Sequence, residues 1–313
     1  MIYKQIKRLC ILIYFLTYTV FCSKMCSVPF VKNKINIFWN EWLNIIPVFN
    51  KYFIGNTYYS GNFISSNKID IITCNHINFC DALSIISIIK NFSKKDLYVI
   101  MKKDLIKLPI IGIFAKNNLT LERSLEHDKE NIINFIKKIE NGVILILPEG
   151  TRMNKQNFEK SIEYSKNNNL KKYDNLLYPK MKGLDIIINV LNDRNKLGNL
   201  IDITLKIDGL KKFNTSPLHF IKNATNTFCH INSYKINKNT LNNYDNLKIW
   251  YLMIWDRKEE YLNNYNNNLY KKFNYDIKSS TFILNIVMLN LCILYYNVFL
   301  KSSFINKNKI VIE

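Results

Sequence analysis

The pattern with the most chemical content in this chain is Asn75-His76-Ile77-Asn78-Phe79-Cys80-Asp81. An imidazole takes a proton from a hydroxyl well when a carboxylate holds one tautomer and stabilises the imidazolium as it forms. On one regular helix, residues at this spacing would point roughly 140° apart. The pair meets if His76 lies in a loop and Asp81 in the first turn of the next helix. That arrangement is predicted here, with His76 as general base. Taken alone, a single His-x4-Asp is a weak signal, and a structural histidine at a strand end is the plainer reading.

A second pattern is Leu147-Pro148-Glu149-Gly150-Thr151-Arg152. Glycine lets the backbone approach a ligand, and its amides can face an anion. Arg152 can grip a phosphate with two parallel hydrogen bonds. Glu149, Gly150, Thr151 and Arg152 are therefore grouped as a phosphate site, with Glu149 bracing the loop. The third pattern, Leu119-Thr120-Leu121-Glu122-Arg123, ends in a second candidate phosphate ligand, Arg123. Lys102 and Lys103 could add positive charge, although solvated lysines are the plainer reading. The fourth, Tyr178-Pro179-Lys180-Met181-Lys182-Gly183-Leu184, means little by itself: Pro179 stops one segment and a helix follows.

The elements that must position these residues are short apolar runs alternating with helical patterns. Ile69–Cys74, Leu97–Met101 and Val143–Leu147 read as strands, the last as one buried on both faces. Ile201–Asp208 alternates, with Ile201, Ile203, Leu205 and Ile207 on one face. Asp81–Lys90, Ser124–Glu140, Gly183–Leu191 and Leu247–Tyr261 read as helices. Asn237–Asp245 and the tract Asn263–Asn268 read as loops. Strands alternating with helices predict an α/β domain with a largely parallel sheet flanked by helices.

The ends differ from this middle. Leu9–Cys22 is uncharged and follows Lys4, Lys7 and Arg8. It is short for a full span and suits an anchor, a half-inserted helix or a signal core. Lys34–Phe53, with Trp39 and Trp42, suits either an interfacial helix or an aromatic core helix. Thr281–Leu300 is uncharged and about the length of a bilayer-spanning helix. These features predict N-terminal membrane-associated helices over residues 1–60, a domain over 61–270, and a C-terminal transmembrane helix within 271–313.

Among 313 residues, 48% are hydrophobic and 22% charged, which excludes wholesale disorder. The formal net charge of +20 suggests an anionic partner: nucleic acid, an anionic bilayer or a phosphorylated small molecule. The lysines are spread along the chain rather than gathered into basic stripes, which argues against nucleic acid. Seven cysteines without a CxxC pair, and 4 histidines, argue against a zinc site and a disulfide framework.

Together the four motifs, in this order and at predicted strand ends, resemble the blocks of the glycerolipid acyltransferase superfamily. The stretches Lys102-Lys103, Leu108-Pro109-Ile110-Ile111-Gly112 and Leu121-Glu122-Arg123, with Asp128 soon after, are similar to its 1-acylglycerol-3-phosphate and lysocardiolipin acyltransferase branch. The resemblance implies that His76 and Asp81 form the catalytic pair. It also implies phosphate binding by the second and third blocks, and possible substrate contacts at Asn75, Lys102, Lys103 and Pro179. It implies acyl-CoA as co-substrate with no metal or other cofactor, a lysophospholipid acceptor, and a bilayer as partner, most simply that of the endoplasmic reticulum. Other acceptors within the family, glycerol-3-phosphate included, and an inactive membrane scaffold are the competing readings. Ala82, Ile113, Lys180 and Met181 depart from the branch at positions that bear on acceptor and acyl-chain selectivity.

Overall fold

The computed structural model describes residues 2–26, 35–78, 80–107, 118–122, 124–216, 218–223, 225–265 and 270–272. Thr281–Leu300, predicted to span a membrane, and Arg123 lie outside the described residues, as do Phe79 and Leu108–Ile113.

The strands are β1 (Thr57–Gly61), β2 (Ile69–Cys74), β3 (Leu97–Lys102), β4 (Leu119–Leu121), β5 (Val143–Ile146), β6 (Leu197–Ile207), β7 (Thr227–Lys235) and β8 (Lys271–Lys272). They form one sheet in the order β4-β3-β5-β2-β6-β7-β1-β8. From β4 to β6 every neighbour is parallel. β7 turns back against β6, and β1 runs parallel to β7. Parallel pairing puts the C-terminal ends of β2, β3, β4, β5 and β6 on one edge. All the predicted motifs but the fourth follow directly from those ends.

The helices are α1 (Ile2–Cys26), α2 (Ile35–Phe49), α3 (Asp81–Phe92), α4 (Leu125–Lys138), α5 (Lys155–Asn167), α6 (Lys182–Asp193), α7 (His219–Lys222), α8 (Lys238–Leu241) and α9 (Tyr244–Asn263). Alternation along each strand divides the core in two. Ile72, Cys74, Val143, Leu145, Ile201 and Ile203 pack with α1, α2 and α3 on one face. Ile69, Ile71, Ile144, Ile146 and Leu200 pack with α4, α6 and α9 on the other. Every residue of β2 and β5 is buried, as expected of central parallel strands.

Two expectations need correction. β6 is buried on both faces, because Asp202 and Thr204 also point into the core. The stretch Asn237–Asp245 is largely helical, because Asn237 and Asn243 each accept an N–H three residues on and cap α8 and α9. No described helix is long and apolar enough to cross a membrane. In α1, Phe15, Tyr18 and Thr19 are buried, and Trp42 of α2 donates to the Thr19 hydroxyl at 3.0 Å. α2 itself is a core helix, with Trp39, Leu43, Ile45, Ile46 and Phe49 buried.

Candidate active site

β2 delivers the loop that carries His76. Beyond Cys74, the side chain of Asn75 continues the pairing of β2 with β6. Its Nδ2 donates to the Leu205 carbonyl at 2.9 Å, and its Oδ1 accepts from the Leu205 N–H at 2.8 Å. Asn75 is fully buried, so both groups serve to fix the start of the loop rather than to reach a substrate.

His76 follows, with its side chain 19% exposed, and Asp81 opens α3 with its side chain completely buried. The His76 Nδ1 lies 3.1 Å from Asp81 Oδ2. That same oxygen accepts the Asn78 N–H at 2.7 Å and the Ile77 N–H. The carboxylate therefore organises the loop and holds the imidazole at once, at a helix N-terminus where negative charge is favoured. A proton kept on Nδ1 leaves Nε2 as the basic atom. Asp81 Oδ1 is buried and has no hydrogen-bond partner among the described residues.

β5 delivers the second pattern beside the first. The His76 N–H donates to Glu149 Oε2 at 2.9 Å, and the Met153 N–H donates to the His76 carbonyl at 2.9 Å. Glu149 Oε1 accepts the Leu177 N–H at 3.1 Å. The buried Glu149 is thus a clamp joining the loop of His76 to the fourth pattern. Grouping Glu149 with the phosphate ligands is corrected: it is buried, and both of its oxygens are taken by backbone donors. Burial pushes its pKa up to about 8, against the two backbone hydrogen bonds and the charge of Lys258.

Gly150 adopts φ +68° and donates to the Leu147 carbonyl at 2.9 Å, so its amide closes a turn. The Thr151 hydroxyl and the Arg152 carbonyl both receive Asn157 Nδ2, at 3.0 and 2.9 Å. Arg152 is half-buried at the mouth of this loop. The fourth pattern is brought in by Lys180, whose N–H donates to the Pro148 carbonyl at 2.8 Å. Pro179 is buried beneath it. Lys102 and Lys103 are exposed and form ion pairs with Asp104 and Glu122.

Several contributors were missed from the sequence. Lys258 of α9 is buried and donates to the Ile203 carbonyl at 2.6 Å, while pairing with Asp202 at 3.0 Å. Thr73 donates to the other Asp202 oxygen at 2.7 Å. This network ties α9 to Thr73 near the end of β2 and to the middle of β6. Phe213, with φ +68°, sits 5.3 Å from Phe158 of α5. It belongs to a segment after β6 that touches the loop of His76, since Asn78 Nδ2 donates to the Asn214 carbonyl at 2.8 Å.

Residues 58–184, which carry the His–Asp pair and the glycine–arginine loop at one edge of the sheet, match the family described as Acyltransferase. The chain is similar to members of the glycerolipid acyltransferase superfamily. It is 30% identical over 181 residues to Lysophosphatidylinositol acyltransferase 10 of Caenorhabditis elegans, covering 53% of this chain and 44% of that protein. It is 26% identical over 148 residues to Lysocardiolipin acyltransferase 1 of Gallus gallus, covering 45% and 38%. It is 22% identical over 254 residues to "Probable 1-acyl-sn-glycerol-3-phosphate acyltransferase 5" of Arabidopsis thaliana, covering 78% and 66%. The chain spans less than half the length of the first two relatives.

Proposed function

We propose that this chain transfers a fatty acyl group from acyl-CoA to the free sn-2 hydroxyl of 1-acylglycerol-3-phosphate, giving phosphatidic acid. The observation that carries this reading is the His76–Asp81 pair, 3.1 Å apart, with the imidazole accessible and the carboxylate buried. Nε2 of His76 removes the hydroxyl proton while the oxygen attacks the thioester carbonyl. The C–S bond breaks, and the CoA thiolate takes the proton back from the imidazolium. The carboxylate of Asp81 balances the transient charge. Such base catalysis contributes about 10²–10⁴-fold. Arg152, with Arg123, supplies positive charge for the acceptor phosphate. The base and the thioester complete the reaction without a redox group or metal.

The enzyme would meet its acceptor at a bilayer. Ile6, Leu9, Ile13, Leu16 and Val20 recur at helical spacing on α1 and are 40–54% exposed. Such a stripe, with Lys4, Lys7 and Arg8 around its N-terminal end, suits a helix lying in an anionic membrane surface. Thr281–Leu300 would add an anchor, and the endoplasmic reticulum is the proposed location.

A second reading, phospholipid remodelling, is favoured by Lys180. Its side chain runs along Gly150, 3.4 Å from where a Cβ would stand, so this departure from the branch pattern touches the phosphate loop directly. The test is acyl transfer from labelled oleoyl-CoA to a panel of lyso lipids, by membranes carrying the wild type or His76→Ala. Product on lysophosphatidic acid, lost in the variant, is expected. Product only on lysophosphatidylinositol or lysocardiolipin assigns remodelling. Full activity in a folded His76→Ala protein would sink the mechanism.

A further inference from the structure

We propose that the cavity on the β6 side of His76 binds the phosphorylated adenosine end of the acyl donor. The inference rests on the acyl-CoA reading above and assigns one end of that substrate to residues outside all four motifs.

The cavity has a volume of about 580 Å³, within the usual range for small-molecule sites. Asp208, Lys211, Asn214, His219, Thr225 and Asn226 line it. It opens where β6 ends and β7 begins, on the sheet edge that carries His76; open α/β sheets bind ligands outside the carboxyl ends of their strands. The Asn78–Asn214 hydrogen bond makes its wall continuous with the catalytic loop.

β2 separates this cavity from the loop that follows β5. The two sides of His76 thus offer separate places for two substrates. The loop after β5 presents Arg152 to the short glycerophosphate of the acceptor. The donor needs something different: a reactive carbonyl at His76, a long pantetheine arm, and a nucleotide bound farther along the same edge. Phe213 and Lys212 reach across to Phe158 of α5, with the Lys212 Nζ 4.2 Å from that ring's centroid. The strained backbone at Phe213 marks this crossing as held in place by its surroundings.

The lining chemistry matches a nucleotide bearing phosphate. Lys211 is exposed and forms no ion pair among the described residues, so its ammonium is available to an anion. Thr225 is 7% exposed, and its hydroxyl has no hydrogen-bond partner among the described residues. His219 Nε2 is likewise buried and unpartnered. Burial holds the His219 imidazole below the usual histidine range, so the ring is neutral and offers one donor and one acceptor. Both residues line the cavity, and buried polar atoms without partners are costly, so a polar ligand suits this lining better than an apolar one. Asp208 adds an acceptor for hydroxyl or amino groups, which a bare phosphate lacks and an adenosine carries.

The test uses the full chain in detergent or membranes and titrates it with CoA and with adenosine 3′,5′-bisphosphate. Both are expected to bind wild type and to compete with each other. Lys211→Glu should weaken both at least about tenfold, the size of one charge-assisted contact. It should raise the KM for oleoyl-CoA in step while the acceptor KM stays within about twofold. Thr225→Val should weaken CoA binding with Tm equal to or above wild type, because the hydroxyl it removes has no partner in the free protein. A merely structural threonine would lower Tm instead. Unchanged CoA affinity in both folded variants would overturn the assignment while leaving the acyltransferase reading intact. So would a raised acceptor KM with an unchanged donor KM, which makes the cavity a headgroup site. A wild-type protein that binds no CoA and transfers no acyl group would overturn both.

Discussion

Glu149 holds His76 by its backbone: the His76 N–H donates to Glu149 Oε2 at 2.9 Å across 73 positions of sequence. This bond makes the orientation of the base depend on a buried carboxyl group, and it ties two motifs that lie on adjacent strands.

The ionisation of Glu149 should be visible in stability. Its folded pKa, about 8, lies above the ordinary 4.5, so the folded state binds the proton more tightly than the unfolded state. The stability from this group is fully present below pH 4.5 and is lost as pH rises toward 8. Glu149→Gln removes the titration. Its Tm relative to wild type should therefore climb by several degrees between pH 5 and pH 8, measured by scanning calorimetry on both proteins. A difference that stays flat with pH would show that Glu149 does not titrate in this window.

Asp81→Asn should lower kcat by about 10²–10⁴-fold, because the amide no longer enforces the tautomer that leaves Nε2 basic or stabilises the imidazolium. The acceptor KM should change little, since Asp81 is buried beneath the imidazole. Single-turnover rates with oleoyl-CoA measure this; a loss under threefold would remove Asp81 from catalysis.

Removing the ammonium in Lys258→Met leaves Asp202 charged and buried, which costs about 3–5 kcal/mol. Replacing both, as Lys258→Met with Asp202→Leu, should recover much of that loss, because an apolar pair of similar volume needs no desolvation compensation. Urea denaturation of the two proteins decides it. Equal destabilisation of single and double variants would contradict a coupled pair.

Gly150→Ala should destabilise by about 1–2 kcal/mol, the cost of an L side chain in the left-handed region. The added methyl meets only the flexible end of Lys180, at 3.4 Å, so strain rather than collision sets the cost. A chemical denaturation midpoint equal to wild type would contradict this.

Local pattern was enough for the central strands, the helices that follow them, and the His76–Asp81 relationship. Ile69–Cys74 matches β2 end to end, and Asp81 opens α3 as predicted. These features depend on neighbours in sequence: apolar runs, a period of two or 3.6, and a carboxylate at a helix start. The order of strands is different in kind. That β5 lies between β3 and β2, bringing Glu149 onto His76, follows from which surfaces can be buried together, and no local pattern encodes it. Lys258 sits in the charged run Arg257-Lys258-Glu259-Glu260 and reads as solvated. Only the packing of α9 against the sheet, with Asp202 waiting beneath, makes its burial tolerable. β1 and β7 carry mixed polar and aromatic residues with no clean alternation, and they become strands through pairing with each other and with β6. The sequence by itself thus determined the candidate residues and the local elements that hold them. The tertiary structure decided their partners, because burial and long-range hydrogen bonding are properties of the assembled chain.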